Sequence, residues 1–244
     1  METIKIRASA ASKITTEPKL KVDKEAGLLG QTAKTYLNEL WLQNKYGYRE
    51  ELTVPVILKG KLCEDDSMGL VHKVLGGEFR HKYRNILEAK GLKYLEDDFF
   101  TGTPDIVLNE EDFVEDVKTS WDIKTYFNAE LEDNYFWQAQ VYMHLTKKTN
   151  YRLIYCLVPT PQEFILSMKN KTFYALHCDK EQVESKDYED AVKQIEWNHN
   201  GMILEMPEAD RLKKFEFKYE PEKIELLKLQ VVKARNYYNS IKLK

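Results

Sequence analysis

Cysteine is scarce in this sequence and long apolar runs are missing, and each absence excludes a class of protein. The 244 residues include three cysteines, Cys63, Cys156 and Cys178, which are odd in number and widely separated. This pattern argues against a disulfide framework and a four-thiolate cluster, and it suits a reducing compartment. No apolar run approaches the roughly 18–20 residues that cross a bilayer, and the first residues contain no hydrophobic signal core. We therefore expect a cytoplasmic protein with no membrane partner.

Several catalytic signatures are also missing. The five histidines show no HExxH or paired zinc spacing, and the chain has neither a GxSxG motif nor a P-loop. The formal net charge is −3, so no overall basic charge points to nucleic acid. A negative total does not exclude such a partner, because a carboxylate cluster can offset a local basic groove.

The composition and the order of elements predict one folded domain. Apolar residues make up 43% of the chain and aromatic residues 12%, which is enough for a core. The predicted order of helix, three strands, helix and strand gives an α/β (α+β) fold with a mixed central sheet flanked by helices. We divide the domain into an N-terminal arm and helix (1–58), a core (59–160) and a C-terminal helical elaboration (161–244).

Three local predictions in the N-terminal half depend on proline, glycine and polar residues. Residues 1–25 are polar and basic and read as an extended arm. Residues 53–58 read as a short extended piece, because Pro55 disfavours a helix interior. Gly60 then interrupts the chain, and a helix follows over residues 61–75.

The stretch over residues 101–142 contains the strongest chemical signal. Two short apolar strands flank the polar turn 109–112, and pairing them about that turn places Asp105 directly opposite Asp116. The two-residue alternation of a strand then puts Asp105, Asp116 and Lys118 on one face. Directly opposed residues have Cβ atoms about 4.5–5.5 Å apart. Incidental surface charge explains the acidic residues of the turn, but not Asp116 and Lys118 inside an apolar strand.

Two carboxylates held so close require a proton or a cation between them. They repel each other and lose hydration among apolar neighbours, and a divalent metal with oxygen ligands relieves both costs. Lys118 places a positive charge beside that site. Glu115 lies on the opposite strand face and exchanges roles with Asp116 only if the register slips by one residue.

Three further groups are candidates for the same site. Glu64 lies in the first turn of the predicted helix, where it either complements the helix N-terminus or faces the carboxylate pair. Gln138 and Tyr142 are four residues apart and share one face of a helix that begins near residue 134. The basic cluster over residues 80–84 is either a solvated face or an edge that contacts phosphate.

In this order, the motifs GTPD, EDVK and QAQVY resemble the PD-(D/E)XK nuclease superfamily. The likeness covers most of residues 6–158 and looks closest to the branch with a Gln-x-x-x-Tyr helix, which includes lambda-type phage exonucleases and RecB-type nuclease domains. The combination is fairly specific, whereas each motif alone is weak. The resemblance implies an αβββαβ core of the restriction-endonuclease type.

The resemblance also implies roles for individual residues. Asp105 and Asp116 match the two acidic metal ligands and Lys118 the motif lysine, while Glu64 matches an acidic ligand from the preceding helix. The supporting pair of the family corresponds to Gln138 and Tyr142, and the carbonyl of Val117 is a further expected ligand. The implied cofactor is Mg²⁺ or Mn²⁺. Some relatives carry an iron–sulfur cluster on four cysteines, which this chain does not have, so we expect none.

The activity implied by the resemblance is metal-dependent DNA hydrolysis by a phage-type exonuclease that serves recombination or repair in a bacterial host cell. DNA, bound largely without sequence preference, is the expected partner; a single-strand annealing or other recombination protein and further copies of the chain are additional expected partners. Two alternatives stay open. One is a structure-specific endonuclease or nickase on the same core, and the other is a non-catalytic DNA-binding assembly subunit.

Overall fold

Seven β-strands form two sheets in the computed structural model, which describes residues 3–49, 53–78, 80–176 and 185–242. The strands are β1 (Ile6–Arg7), β2 (Leu95–Glu96), β3 (Phe100–Gly102), β4 (Ile106–Leu108), β5 (Phe113–Thr119), β6 (Asn150–Cys156) and β7 (Leu212–Lys218). The smaller sheet has the order β1-β3-β2, and the larger sheet has the order β4-β5-β6-β7. In the larger sheet β5 pairs antiparallel with β4 and parallel with β6, so the sheet is mixed, as predicted.

The described part of the chain also contains twelve α-helices. They are α1 (Ala11–Thr15), α2 (Lys21–Glu25), α3 (Gln31–Tyr46), α4 (Pro55–Leu62), α5 (Glu64–Leu75), α6 (Tyr83–Ala89), α7 (Ile123–Phe127), α8 (Asp133–Thr146), α9 (Gln162–Ala175), α10 (Lys186–Glu196), α11 (Met202–Glu205) and α12 (Pro221–Ser240). Because β5 and β6 are parallel, the chain must cross over between them, and α8 is the longest helix of that crossover. The predicted succession is present as α5, β2, β4, β5, α8 and β6, although β2 pairs in the smaller sheet.

The hairpin of β4 and β5 has the register that the sequence predicts. Ile106 pairs with Glu115 and Val107 with Val114, and the chain turns over residues 109–112. Asp105 directly precedes Ile106 on its strand, and Asp116 directly follows Glu115 on the paired strand. The paired strands therefore bring the two aspartates to the same level.

Helices cover both faces of the larger sheet. On one face, α8 packs against the strands through a cluster that includes Val114, Ala139, Met143, Tyr151 and Leu153. On the other face, α5 packs through a cluster that includes Leu70, Val71, Ile154, Cys156 and Val158. Successive side chains of β5 point alternately to the two helices, which decides which site residues can meet.

The N-terminal residues are not an extended arm, contrary to the sequence prediction. β1 pairs in parallel with β3, and a 3₁₀ turn (Ala8–Ala10) leads into α1. Ile6 and Ile14 are fully buried in the main core. The pairing partner of β1 lies more than ninety residues away in the sequence, so local composition contains no sign of it.

The prediction of an extended piece over residues 53–58 is also wrong. These residues lead into α4, where Pro55 occupies the first helical position. A proline is tolerated there because the first N–H groups of a helix have no intrahelical partner. Gly60 lies inside α4, and a separate helix, α5, starts at Glu64.

In the C-terminal part, β7 pairs with β6 and so extends the larger sheet. The last helix, α12, packs against the main core. The division into three parts stays a prediction. Cys63 and Cys156 are buried free thiols, and Cys178 lies outside the described residues. Within the described ranges, no helix is both long and apolar enough to span a membrane.

Candidate active site

Asp105 and Asp116 form a close carboxylate pair at the edge of β5. Asp116 is 1% exposed, and Asp105 lies in the bend before β4. Burial and the neighbouring negative charge of Asp116 raise the pKa of Asp105 to about 7. One oxygen of the Asp105 carboxylate accepts a 2.8 Å hydrogen bond from the backbone N–H of Val117. The negative charge of Asp116 therefore acts on Asp105, as the predicted pairing of the two aspartates requires.

Lys118 is the positive charge of this cluster. Its ammonium forms an ion pair with the Asp116 carboxylate on the same strand face. Burial alone would lower the pKa of Lys118, but the charges of Asp116 and Asp105 outweigh it and raise the pKa above its ordinary value. Lys118 is therefore a fixed cation beside two carboxylates.

Gln138 and Tyr142 meet the carboxylates from α8. The Gln138 amide donates a 2.9 Å hydrogen bond to the Tyr142 hydroxyl, and both side chains are buried. Burial first, and then the nearby charge of Asp116, raise the pKa of Tyr142 above its ordinary value. The hydroxyl of Tyr142 therefore remains protonated next to the two aspartates.

Gly102 of the GTPD motif makes room for Tyr142. A Cβ atom at position 102 would lie 2.7 Å from Cε1 of the Tyr142 ring, closer than real Cβ contacts occur. The ring packs directly on the backbone of β3, and glycine permits that approach. The glycine at position 102 is thus needed for the packing of Tyr142, which lies forty positions further along the chain.

Glu64 approaches from the other side of β5. Ser67 and Thr119 share a 2.8 Å hydrogen bond, which places α5 on the strand face opposite Asp116 and Lys118. The Glu64 carboxylate is half-exposed and forms a 3.1 Å ion pair with Lys82. Among the described residues, no group of three or more acidic, histidine or cysteine side chains is close enough to hold a metal. The role of Glu64 as a third ligand stays a prediction.

The donor set at the carboxylate pair fits a hard divalent cation. Oδ2 of Asp116 is buried and, within the described residues, has no hydrogen bond of ordinary geometry; its partner is the Lys118 ammonium. In a strand the N–H and C=O of one residue point to the same edge, so the Val117 carbonyl faces the edge where its N–H meets Asp105. Mg²⁺ is commonly held by one or two carboxylates, with water and substrate phosphate completing the shell.

A cleft of about 1070 Å³ opens beside the site. Gly102, Thr103 and Tyr142 line the end of the cleft that reaches the site. Arg7, Arg84 and Lys93 line it elsewhere. The structure records no ion pair of these three cations with any described residue. The cleft therefore has room and positive charge for an extended anionic ligand.

Both sequence interpretations treated the basic cluster over residues 80–84 as one surface, and the structure shows that it is not. Arg80 is buried and donates to both carboxylate oxygens of Glu115, at 2.9 and 3.3 Å, and to the carbonyls of Leu75 and Gly76. Glu115, which is fully buried, is also ion-paired with Arg152. Only Arg84 reaches the cleft.

Sequence reasoning missed two residues beside the site. Tyr135 places its ring 5.2 Å from the Lys118 ammonium, measured to the ring centroid. Tyr151 buries a hydroxyl against Asp116, and burial and that charge raise its pKa well above the ordinary value. The spacing of Tyr135, three residues before Gln138, predicts that both lie on one helix face, but it does not predict the contact with Lys118.

Neither the protein-family models nor the curated proteins yield a match to this chain. Solved structures do. A phage-related exonuclease from Haemophilus somnus 129PT is 24% identical with a TM-score of 0.72, covering 98% of this chain and 95% of its own. LHK-Exo in complex with dAMP is 12% identical with a TM-score of 0.58, covering 97% of this chain and 88% of its own.

A further structure of LHK-Exo, an alkaline exonuclease from Laribacter hongkongensis, is 11% identical with a TM-score of 0.54 and the same coverages, 97% and 88%. At these identities the likeness establishes the fold. The chain therefore has the mixed α/β fold of phage-type exonucleases, and the fold expected from the resemblance is confirmed over almost its whole length.

Proposed function

We propose that this protein is a metal-dependent deoxyribonuclease, and specifically an exonuclease that serves phage recombination or repair. The supporting observation is the cluster of Asp105, Asp116 and Lys118 on the fold of phage-type exonucleases, in which a partly buried and a fully buried carboxylate lie beside one ammonium. A site that binds only DNA backbone would favour cations, and it would not place two opposed aspartates at a largely desolvated position.

The residues that would hold Mg²⁺ or Mn²⁺ are Asp105, Asp116 and the Val117 carbonyl, with Glu64 as the predicted further ligand. The bound cation supplies Lewis-acid polarisation of the scissile phosphodiester and acidifies an attacking water. Burial and the charge of Asp116 raise the pKa of Asp105, and a bound cation would counter both effects by favouring the ionised carboxylate.

The chain's own residues would orient the reactants. Lys118 presents a fixed positive charge to the phosphate and to the water, which favours the charge that develops during hydrolysis. Tyr142 remains protonated beside the aspartates and is a hydrogen-bond donor to a phosphate oxygen or to the water. Gln138 fixes the direction of that hydroxyl.

The cleft would bind the DNA strand through its phosphates. Arg7, Arg84 and Lys93 supply charge without reading base edges, so binding should be largely independent of sequence. Each phosphate contact releases a condensed counterion, and affinity should fall steeply with salt. A recombination protein and further copies of the chain remain proposed partners, and a bacterial host cytoplasm the proposed location.

The test is degradation of end-labelled linear DNA and of covalently closed circles with Mg²⁺ or Mn²⁺. We expect digestion of the linear DNA alone, and its loss in Asp116→Ala and Lys118→Ala. Glu110→Ala, in the exposed hairpin turn, is the control and should retain full activity. Cutting of closed circles would assign an endonuclease instead, and DNA binding with no cleavage under any metal would assign a non-catalytic subunit.

A further inference from the structure

The aromatic ring of Tyr135 lies over the one cation of the carboxylate cluster. Tyr135 is in the first turn of α8, on the same face as Gln138 and Tyr142. Its ring centroid is 5.2 Å from Nζ of Lys118, within the range of a cation–π contact. The Tyr135 side chain is half-buried, so its ring separates Lys118 from solvent on this side.

The ring of Tyr135 is itself fixed by the sheet. It packs edge-on against Tyr155, with centroids 6.1 Å apart and ring planes at 84°. Tyr155 is the register partner of Lys118 on the neighbouring parallel strand. The Tyr155 hydroxyl donates a 3.2 Å hydrogen bond to the Glu130 carbonyl, in the loop that leads into α8. Lys118 is thus bordered by two aromatic rings whose positions depend on each other.

The ring and not the hydroxyl of Tyr135 makes this contact. The hydroxyl has no hydrogen bond to any residue that the structure describes. Asp116 restrains the Lys118 ammonium from one side, but a carboxylate that binds a cation has less charge to offer a lysine. The aromatic contact does not compete with such a cation. It is therefore the restraint on Lys118 that persists when the carboxylates are engaged.

We propose that Tyr135 is a positioning residue that holds the Lys118 ammonium in the site, and that, given the proposed nuclease function, it sets the turnover rate through Lys118. Without the ring, the long flexible side chain of Lys118 can turn towards solvent. The expected loss in kcat is about 3- to 30-fold, the rate equivalent of one cation–π contact. KM should change by less than about twofold, because Tyr135 acts through Lys118 and not on substrate binding.

The test compares Tyr135→Leu, which removes the ring, with Tyr135→Phe, which removes only the hydroxyl. Phe136→Leu is the matched control, since Phe136 is the next residue and packs on Trp137 and Phe217 instead. The first readout is the proton shift of the Lys118 ε-methylene in lysine-labelled protein, assigned by its loss in Lys118→Met. The second readout is kcat and KM on linear DNA.

We expect an upfield shift of the Lys118 ε-methylene signal of equal size in the wild type, Tyr135→Phe and Phe136→Leu. In Tyr135→Leu this shift should fall markedly, along with the loss in kcat. An unshifted wild-type signal, or an active Tyr135→Leu enzyme with wild-type kcat, would overturn the proposal. If the wild type cleaves no DNA while Tyr135→Leu alone loses the shift, the nuclease function fails and the holding of Lys118 by Tyr135 stands.

Discussion

The Gln138 amide donates a 2.9 Å hydrogen bond to the Tyr142 hydroxyl one helical turn away, and both groups are buried beside the aspartates. A buried amide and a buried hydroxyl each need a partner, and here each satisfies the other. The two residues therefore form one unit, and their effects on activity should be linked.

We expect Tyr142→Phe and Gln138→Leu each to lower kcat by about 2- to 10-fold, the rate equivalent of one hydrogen bond. The kcat of the double variant should be no lower than that of the slower single variant, because either change already breaks the shared bond. The measurement is a double-mutant cycle on kcat with linear DNA. Additive losses would mean that the two side chains act separately.

Gly102→Ala should displace the Tyr142 ring. The added Cβ would lie 2.7 Å from the ring, so the ring or β3 must move, at a cost of about 1–3 kcal/mol in unfolding free energy. Activity should fall with it. The control is Gly60→Ala in α4, where an added Cβ meets nothing within 4 Å and should stabilise the helix by about 0.5–1 kcal/mol. Denaturant unfolding gives the free energy of unfolding of both variants. A Gly102→Ala protein of unchanged stability and activity would show that the Tyr142 ring does not pack on position 102.

Asp105 should make the metal-free protein less stable as pH rises. Its pKa is about 7 in the folded protein against an ordinary value of 3.8, so between these values the folded chain binds more protons than the unfolded chain. The free energy of unfolding must then decrease with pH across this window. Thermal melts with chelator should show a falling Tm from pH 4 to 7 in the wild type, relative to Asp105→Asn, in which this contribution is absent.

Metal should reverse that loss. Mg²⁺ binds the ionised carboxylates, so it should raise Tm more at pH 8 than at pH 5 in the wild type. Asp105→Asn should respond weakly at both values. An equal response to Mg²⁺ in the wild type and in Asp105→Asn would remove Asp105 from the ligand set.

Arg80 should be essential for stability, although it lies outside the site. Arg80→Met leaves the Glu115 carboxylate buried with one partner fewer, and breaking a buried ion pair in this way costs about 3–5 kcal/mol. Lys5→Met, which removes the exposed ion pair with Glu96, should cost no more than about 1 kcal/mol. Urea denaturation measures both. Comparable small losses would show that Glu115 finds sufficient partners without Arg80.

Local pattern was enough to predict the hairpin and the helix behind it. The turn at 109–112 and the apolar alternation determine which residues of β4 and β5 face each other, and both signals lie within fifteen residues. The same is true of the face that Gln138 and Tyr142 share. The comparison structures agree with the fold that the combined motifs imply.

Contacts between distant segments could not be predicted in this way. Nothing near Ile6 shows that β1 pairs with β3, and nothing near Arg80 shows that it neutralises Glu115 from thirty-five residues away. The prediction of an extended piece at Pro55 is wrong because proline, although excluded from the interior of a helix, is favoured at its start. For Glu64, the helix face follows from the sequence, but the side of the sheet on which α5 packs does not.

β4 pairs with β5 over three residues, whereas β5 continues for four more to Thr119. Pro104 has no N–H to donate, so the antiparallel ladder cannot simply extend past Asp105. The backbone N–H of Val117 therefore donates to the Asp105 carboxylate and not to a neighbouring strand. A substitution that lets β4 grow by two residues would cap the vacant edge of β5 with ordinary sheet pairing. The chemical capacity of this fold thus depends on one strand ending early.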